Sequence, residues 1–254
     1  MFDLQNDLGV KSFSFRSIKE NADVAQAVLQ CGVNSVDLSG CHIDYDDPAA
    51  QAAAIATYRD AGVRISGIGV VQLKNDEAFN RRYFDFAQQA GCEVVSVNFQ
   101  PAEHESVLAM LERLCDGYGM RAAIHNHGGK HWMGNATMID YMLQRSSKAV
   151  GLCLDTAWCI QAGEDPVNWL EKYGDRLYAI HFKDFTFEPN GQFHDTVVGE
   201  GALDIAATLD AFLALPFDGS AVIEYEGDDA VEASRQCVEA IRAYLATKGV
   251  GANQ

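Results

Sequence analysis

The chain has 254 residues, 48% of them hydrophobic, enough for one large core and close to the usual length of an eight-fold β/α barrel. Its net charge of −17 and sequence pI of about 4.6 repel nucleic-acid phosphates and anionic membranes, yet an acidic whole can still focus a divalent cation locally. Seven cysteines, an odd number with no CxxC pair, suit neither a disulfide framework nor a zinc cluster and read as small buried fillers in a reducing compartment.

The N-terminus, MFDLQNDLGVKSF, shows no basic region ahead of a long apolar run, and no apolar run reaches membrane-spanning length. The expected location is therefore the cytoplasm, with neither a membrane nor a nucleic-acid partner.

In chain order, Lys11 to Arg16 (KSFSFR) alternates like a first strand, and Ser17 or Asn21 could cap a helix with Val24, Val28 and Cys31 on one face. Ser35 to Ser39 predicts a second strand, Pro48 to Ala61 a helix behind the acidic Asp44, Asp46 and Asp47, and Arg64 to Val70 a third strand. A helix around Phe79, Tyr83, Phe84 and Ala87 stops at Gly91. Val94 to Phe99 is the fourth strand, then comes a helix through Val107, Leu111 and Leu114, and Arg121 to His125 is the fifth. Glycines close these helices because the cap favours positive φ.

A helix over Met138 to Gln144 leads into the sixth strand, Val150 to Leu154, which delivers Asp155. The seventh, from Leu177, delivers His181 and ends at Lys183. Phe185 to Leu203 is the longest connection, of the kind that forms a lid. A helix from Asp204 to Leu215 precedes the eighth strand, Ala221 to Glu226 (AVIEYE). A last helix presents Val231, Val238, Ile241 and Leu245 on one side. Eight strand-helix units with no break in composition predict one α/β domain over residues 1–254, a (β/α)8 TIM barrel, with 248–254 as a frayed tail. No glycine-rich phosphate fingerprint comes after the first strand, which weighs against an open doubly wound sheet.

Barrel enzymes keep their chemistry at the C-terminal ends of their strands. Four such ends bear metal-type ligands here: His125 in AIHNHGG, Asp155 in LDTAW, His181 in HFKD and Glu224 in VIEYE. Alone, each has an ordinary explanation, such as a capping aspartate or a satisfied core histidine. Four together on strands five to eight point to one divalent ion, with Mn²⁺, Zn²⁺, Co²⁺ or Fe²⁺ suited better than Mg²⁺ to two imidazoles and two carboxylates. His127 and Glu226 lie on the same faces two residues further out, and either could replace or complement its neighbour.

The stretches LGVKSFSFRS, CGVNSVDLSG, AGVRISGIGV, AIHNHGG, the long run from Gly151 to Asp184, VGEGALD and AVIEYEGD, in this order, resemble the xylose isomerase-like barrel superfamily of sugar phosphate isomerases and epimerases, which also contains the endonuclease IV group. In the sugar epimerases the resemblance implies a glutamate on strand five, an aspartate on six, a histidine on seven and a glutamate on eight. The last three fall on Asp155, His181 and Glu224. The first falls on His125, a departure shared by the subgroup with His-Asn-His on strand five, which often has Trp after the aspartate, as Trp158 is here. The departure puts a paired-glutamate proton shuttle in doubt and leaves metal binding less affected. Barrels of this family commonly pair, so a homo-oligomer is an open expectation.

The expected substrate is a small sugar or keto-sugar. An ion holding its carbonyl and adjacent hydroxyl would acidify the C–H between them. Glu224 would move the proton, with His125 or His127 on the other face of the sugar. Lys183 could hold a hydroxyl, carboxylate or phosphate. Trp158, Phe15, Trp132 and Phe99 could wall the ring, and Glu226, His194 and Glu200 could reach it from the rim and the long loop. Isomerisation or epimerisation is the leading expectation. A lyase or dehydratase on keto-inositols or 3-keto-glycosides is the alternative. Endonuclease IV-like hydrolysis lacks a basic rim and a larger ligand set, and a non-catalytic binding module ranks last.

Overall fold

The computed structural model describes residues 2–249. Eight parallel strands close into a barrel: β1 (Gly9–Lys11), β2 (Ser35–Leu38), β3 (Arg64–Gln72), β4 (Val94–Asn98), β5 (Arg121–His125), β6 (Val150–Asp155), β7 (Leu177–Phe182) and, after an insertion of β8 (Asp184–Phe187) and β9 (Phe193–Thr196), β10 (Ser220–Ile223). Closure is made by β1, which pairs with both β2 and β10. A short α1 (Leu4–Asp7) precedes the barrel. Around it run α2 (Asn21–Gln30), α3 (Pro48–Asp60), α4 (Glu77–Ala90), α5 (His104–Tyr118), α6 (Ala136–Gln144), α7 (Thr156–Gln161), α8 (Pro166–Tyr173), α9 (Ile205–Leu213) and α10 (Ala230–Thr247). This is the eight-fold barrel that the alternation of apolar runs and helical patterns predicts.

The local chemistry agrees with the expected signals at most boundaries. Asp47 caps α3 by accepting from the N–H groups of Ala49 and Ala50, and Gly91 and Gly119 end α4 and α5 in the left-handed conformation. Large apolar side chains pack between strands and helices. Beneath the mouth, a separate small cluster of Val94, Ala123, Cys153, Tyr178 and Ala179 forms. Its small members leave the space that the polar strand ends occupy.

Three expectations are corrected. The KSFSFR segment is not a strand: β1 stops at Lys11 and Ser12–Phe15 forms a 3₁₀ turn. Its serines serve loops rather than a ladder. Ser12 Oγ accepts from Ser39 N–H at 2.8 Å and Ser14 Oγ from Tyr225 N–H at 3.0 Å, tying three strand ends together. The eighth barrel strand ends at Ile223, so Glu224 lies one residue beyond it. The segment 185–203 is not irregular throughout, because β8 and β9 pair as an antiparallel hairpin. Of the stretch expected to fray, 250–254 lie outside the described residues, while Lys248 pairs with Asp210 at 2.7 Å.

Asp184 anchors the return from the hairpin to the barrel. Its buried carboxylate accepts from the N–H groups of Phe185, Gly199, Gly201 and Leu203 at 2.8 to 3.0 Å. A Cβ on Gly201 would lie 2.5 Å from that carboxylate, so the close approach needs glycine. Asp184→Ala should therefore cost roughly 2–4 kcal/mol in urea unfolding and speed amide exchange across 185–203, with Asp184→Asn losing less. A loss under about 1 kcal/mol would show that packing, not this carboxylate, holds the segment.

Candidate active site

The register of the barrel sets the site. Asp155 stands opposite His181 across β6 and β7, and His125 opposite Cys153 across β5 and β6. Glu224 comes directly after β10, which pairs with β7. Four donor atoms thereby face one another. His181 Nδ1 lies 2.6 Å from Glu224 Oε2 and 3.3 Å from His125 Nε2, and His125 Nε2 lies 3.9 Å from Asp155 Oδ2. All four residues are buried, and their donor atoms fall within 4.8 Å of one another. Ligands about 2.0–2.2 Å from a tetrahedral ion stand roughly 3.3–3.6 Å apart, so a small adjustment of Glu224 would seat one.

Side-chain clamps hold this arrangement. Asn126, between the two histidines, donates to the Asp155 carbonyl at 3.0 Å and accepts from its N–H at 2.7 Å. Thr156 does the same for the next strand, accepting from Lys183 N–H at 2.9 Å and donating to its carbonyl at 2.6 Å. Asp155 Oδ1 caps α7 through Trp158 N–H at 2.8 Å, so the ordinary capping reading is correct for one oxygen. Its Oδ2 is buried and has no hydrogen-bond partner among the described residues. A buried carboxylate oxygen left in that state is costly, and a cation among these donors would satisfy it. On that observation the residues fit a divalent ion.

The electrostatics separate the two histidines of this cluster. Burial, with His127 and His181 nearby, holds His125 well below the usual imidazole range, so it is neutral. Burial also opposes charge on His181, but Cys153 and the bonded Glu224 together outweigh it and raise His181 well above that range. Burial lifts Asp155 to about 7 against the pull of Lys183. For Glu224 burial is overcome by Lys183 and His181, which keep its carboxyl low.

Above these four residues opens a cavity of about 370 Å³ whose wall includes Lys11, Phe13, Cys41, His127, Trp158 and Glu226 beside His125 and Glu224. His127 is half-buried, its ring edge-on to His125 and tilted by 33° to His131, and burial with His131 pushes it down to about 4. Lys183 is buried behind the wall, its ammonium bonded to Glu226 and 3.6 Å from Asp195, and lies over Trp158. Burial opposes its charge, but the surrounding carboxylates raise it further.

Other expected contacts are not brought together. His194 is exposed on the hairpin and pairs with Glu188 at 2.8 Å, and Glu200 is exposed. The strand pairing turns His194 outward, and Asp195 is the hairpin residue that reaches the site. Phe15 is core, and the cavity aromatic from that turn is Phe13, because the segment coils instead of alternating. Phe99 and Trp132 pack on each other at 5.4 Å, away from the cavity wall. Sequence patterns do not mark Lys11, Asn126 or Asp195 as site residues. Only Asn126 carries a local signal, an amide flanked by two histidines.

A family model of the xylose isomerase-like TIM barrel matches residues 25–246, and the chain belongs to that family. It is similar to an inosose dehydratase of Lacticaseibacillus casei, 30% identical over 152 residues covering 52% of this chain and 50% of that protein. A Geobacillus kaustophilus inosose dehydratase is 28% identical over 150 residues, covering 51% and 48%. The matches thus span about half the length of these relatives. Among solved structures, a xylose isomerase-like TIM barrel protein from Mycobacterium smegmatis in complex with magnesium superposes with TM-score 0.80 at 16% identity, over 97% of this chain and 99% of that one. No helix among the described residues is long and apolar enough to cross a membrane.

Metal affinity should rise with pH. His181 is held protonated and Asp155 partly so near neutrality, so an ion must expel those protons to bind. Calorimetry with Mn²⁺ in buffers of different ionisation enthalpy should report proton release, and identical heats would contradict it. Asp155→Ala and Glu224→Gln should each lose bound metal on dialysis, along with the thermal stabilisation that the ion gives the wild type, about 2.7 kcal/mol at a hundredfold excess over Kd. Unchanged metal content in both variants would remove the site.

Proposed function

We propose that the protein is a metal-dependent dehydratase acting on a keto-inositol or a closely related cyclic keto-polyol. The observation that carries this reading is the asymmetry of the cavity: neutral imidazoles line one part of it, and the buried Lys183 cation stands behind Glu226 at another. The position that would supply a second carboxylate base for symmetric epimerisation is His125. Isomerisation, the leading expectation from the resemblance, therefore gives way to elimination, which needs one base and one acid. Similarity to inosose dehydratases supports the same order.

His125, Asp155, His181 and Glu224 would hold the ion, which when bound supplies Lewis-acid polarisation of the substrate carbonyl. His127, neutral and facing the cavity, accepts the proton from the carbon beside that carbonyl. The electron pair forms the new carbon–carbon double bond as the β-hydroxyl departs. His127 then gives that proton to the departing hydroxyl, which leaves as water, while Glu226, held in place by Lys183, positions the ring. Trp158 and Phe13 cover the ring and exclude bulk water. The magnesium of the Mycobacterium smegmatis protein belongs to that structure, and for this chain Mn²⁺ or Co²⁺ fits the two imidazoles better.

Incubation of 2-keto-inositol with the metal-loaded enzyme should give a product smaller by one water, with deuterium exchange in D₂O at the carbon beside the carbonyl. His127→Ala should lower kcat by roughly 10²–10⁴-fold while metal content stays unchanged. A product of unchanged formula would restore the isomerase reading. Absence of exchange with keto-inositols, ketoses and 3-keto-glucosides alike, in a protein that binds metal, would reopen hydrolysis.

A further inference from the structure

One cation at the cavity has no part in this chemistry. Lys11, the last residue of β1, is 1% exposed, yet it belongs to the cavity wall with His125 and Glu224. Its ammonium donates to the Asp37 carboxylate on β2 and to the Gly69 carbonyl on β3. Gly69 has φ +144°, and a Cβ there would meet the Ser96 carbonyl oxygen at 2.4 Å, so the backbone that presents this acceptor requires glycine. An ammonium has three donor hydrogens. Two are used by protein, and among the described residues the third has no partner except what enters the cavity.

A buried ion pair is a poor way to gain stability, since well-packed apolar groups of similar volume often serve as well or better. A pair placed on the wall of a polar pocket, with one donor unspent, has a use that stability does not explain. Its chemistry also limits the ligand. Asp37 neutralises Lys11, and Glu226 and Asp195 oppose Lys183, so neither buried lysine offers an uncompensated charge to an anion.

We propose that Lys11 is a specificity-determining residue, donating a hydrogen bond to one hydroxyl or carbonyl oxygen of an uncharged cyclic polyol while Asp37 and Gly69 hold it in place. This rests on the keto-polyol reading of the cavity and adds to it the residue that selects the ring orientation. It also excludes phosphorylated substrates from tight binding.

The test is calorimetric binding of unreactive ligands to the full chain loaded with Mn²⁺: myo-inositol, its monodeoxy analogues and an inositol monophosphate. Lys11→Arg moves the donors while keeping the charge, and the double variant Lys11→Met, Asp37→Leu removes both charges so that no buried carboxylate is orphaned. Both should retain metal and bind myo-inositol about 10- to 100-fold more weakly, the worth of one hydrogen bond to a charged group. One monodeoxy analogue should bind the wild type equally weakly and lose nothing further in the variants. The monophosphate should bind no more tightly than myo-inositol. Equal losses for every analogue, or no loss, would overturn the assignment of Lys11 and leave the polyol reading standing. Tighter binding of the monophosphate would overturn the selection for an uncharged ligand. Failure of the metal-loaded wild type to bind any polyol would overturn the keto-polyol reading itself, and the role of Lys11 with it.

Discussion

Burial of charge at the barrel mouth is the constraint on which the rest of the structure depends. Asp155, His181, Lys183 and Lys11 are each 1% exposed or less, and a charge so placed must be paired or must bind an ion. The surrounding structure answers that need residue by residue. Glu224 meets His181, Glu226 and Asp195 meet Lys183, and Asp37 meets Lys11. Asp155 Oδ2 is left over, and its place beside His125 and His181 is what defines a position for a cation.

Such a cluster works only if the strand ends cannot shift. Parallel ladders slant and leave their last backbone groups unpaired, and the side chains of Asn126 and Thr156 take over where the ladder stops, bonding both backbone groups of Asp155 at the end of β6 and of Lys183 just past β7. The hairpin after β7 extends the principle outward. Asp184 organises its return, Asp195 reaches Lys183 and the Glu226 backbone, and Phe185 and Phe193 pack on Trp158 at about 5 Å. The long connection is therefore tied to the cavity's wall by charge and by aromatic contact.

The same geometry bears on chemistry. Two imidazoles of the same type end with opposite protonation, His125 neutral beside other histidines and His181 charged against a carboxylate, because neighbours and not residue type decide in a dry site. His127, facing the cavity, is kept neutral separately, by its own burial and by His131.

Much of this was legible in the sequence, since the period of apolar runs and glycine-closed helices arises from local backbone chemistry. Strand ends β5 to β7, and the four donor residues on them and beyond β10, came from the rule that polar residues close buried strands at the active face. What the chain alone could not decide was which neighbours those residues would meet. Lys11 looked like the start of a strand and is a buried cation paired with residues 26 and 58 positions away. Asp195 and His194 are adjacent in a polar hairpin, and only the antiparallel register turns the first to Lys183 and the second to solvent. KSFSFR alternates as a strand would, but contacts of its serines with distant loops coil it and put Phe13 in place of Phe15 at the cavity. Periodicity and capping are properties of a few consecutive residues and can be read directly. Pairing of buried charges and the register of an insertion are fixed by contacts between distant segments, so only the closed barrel decides them.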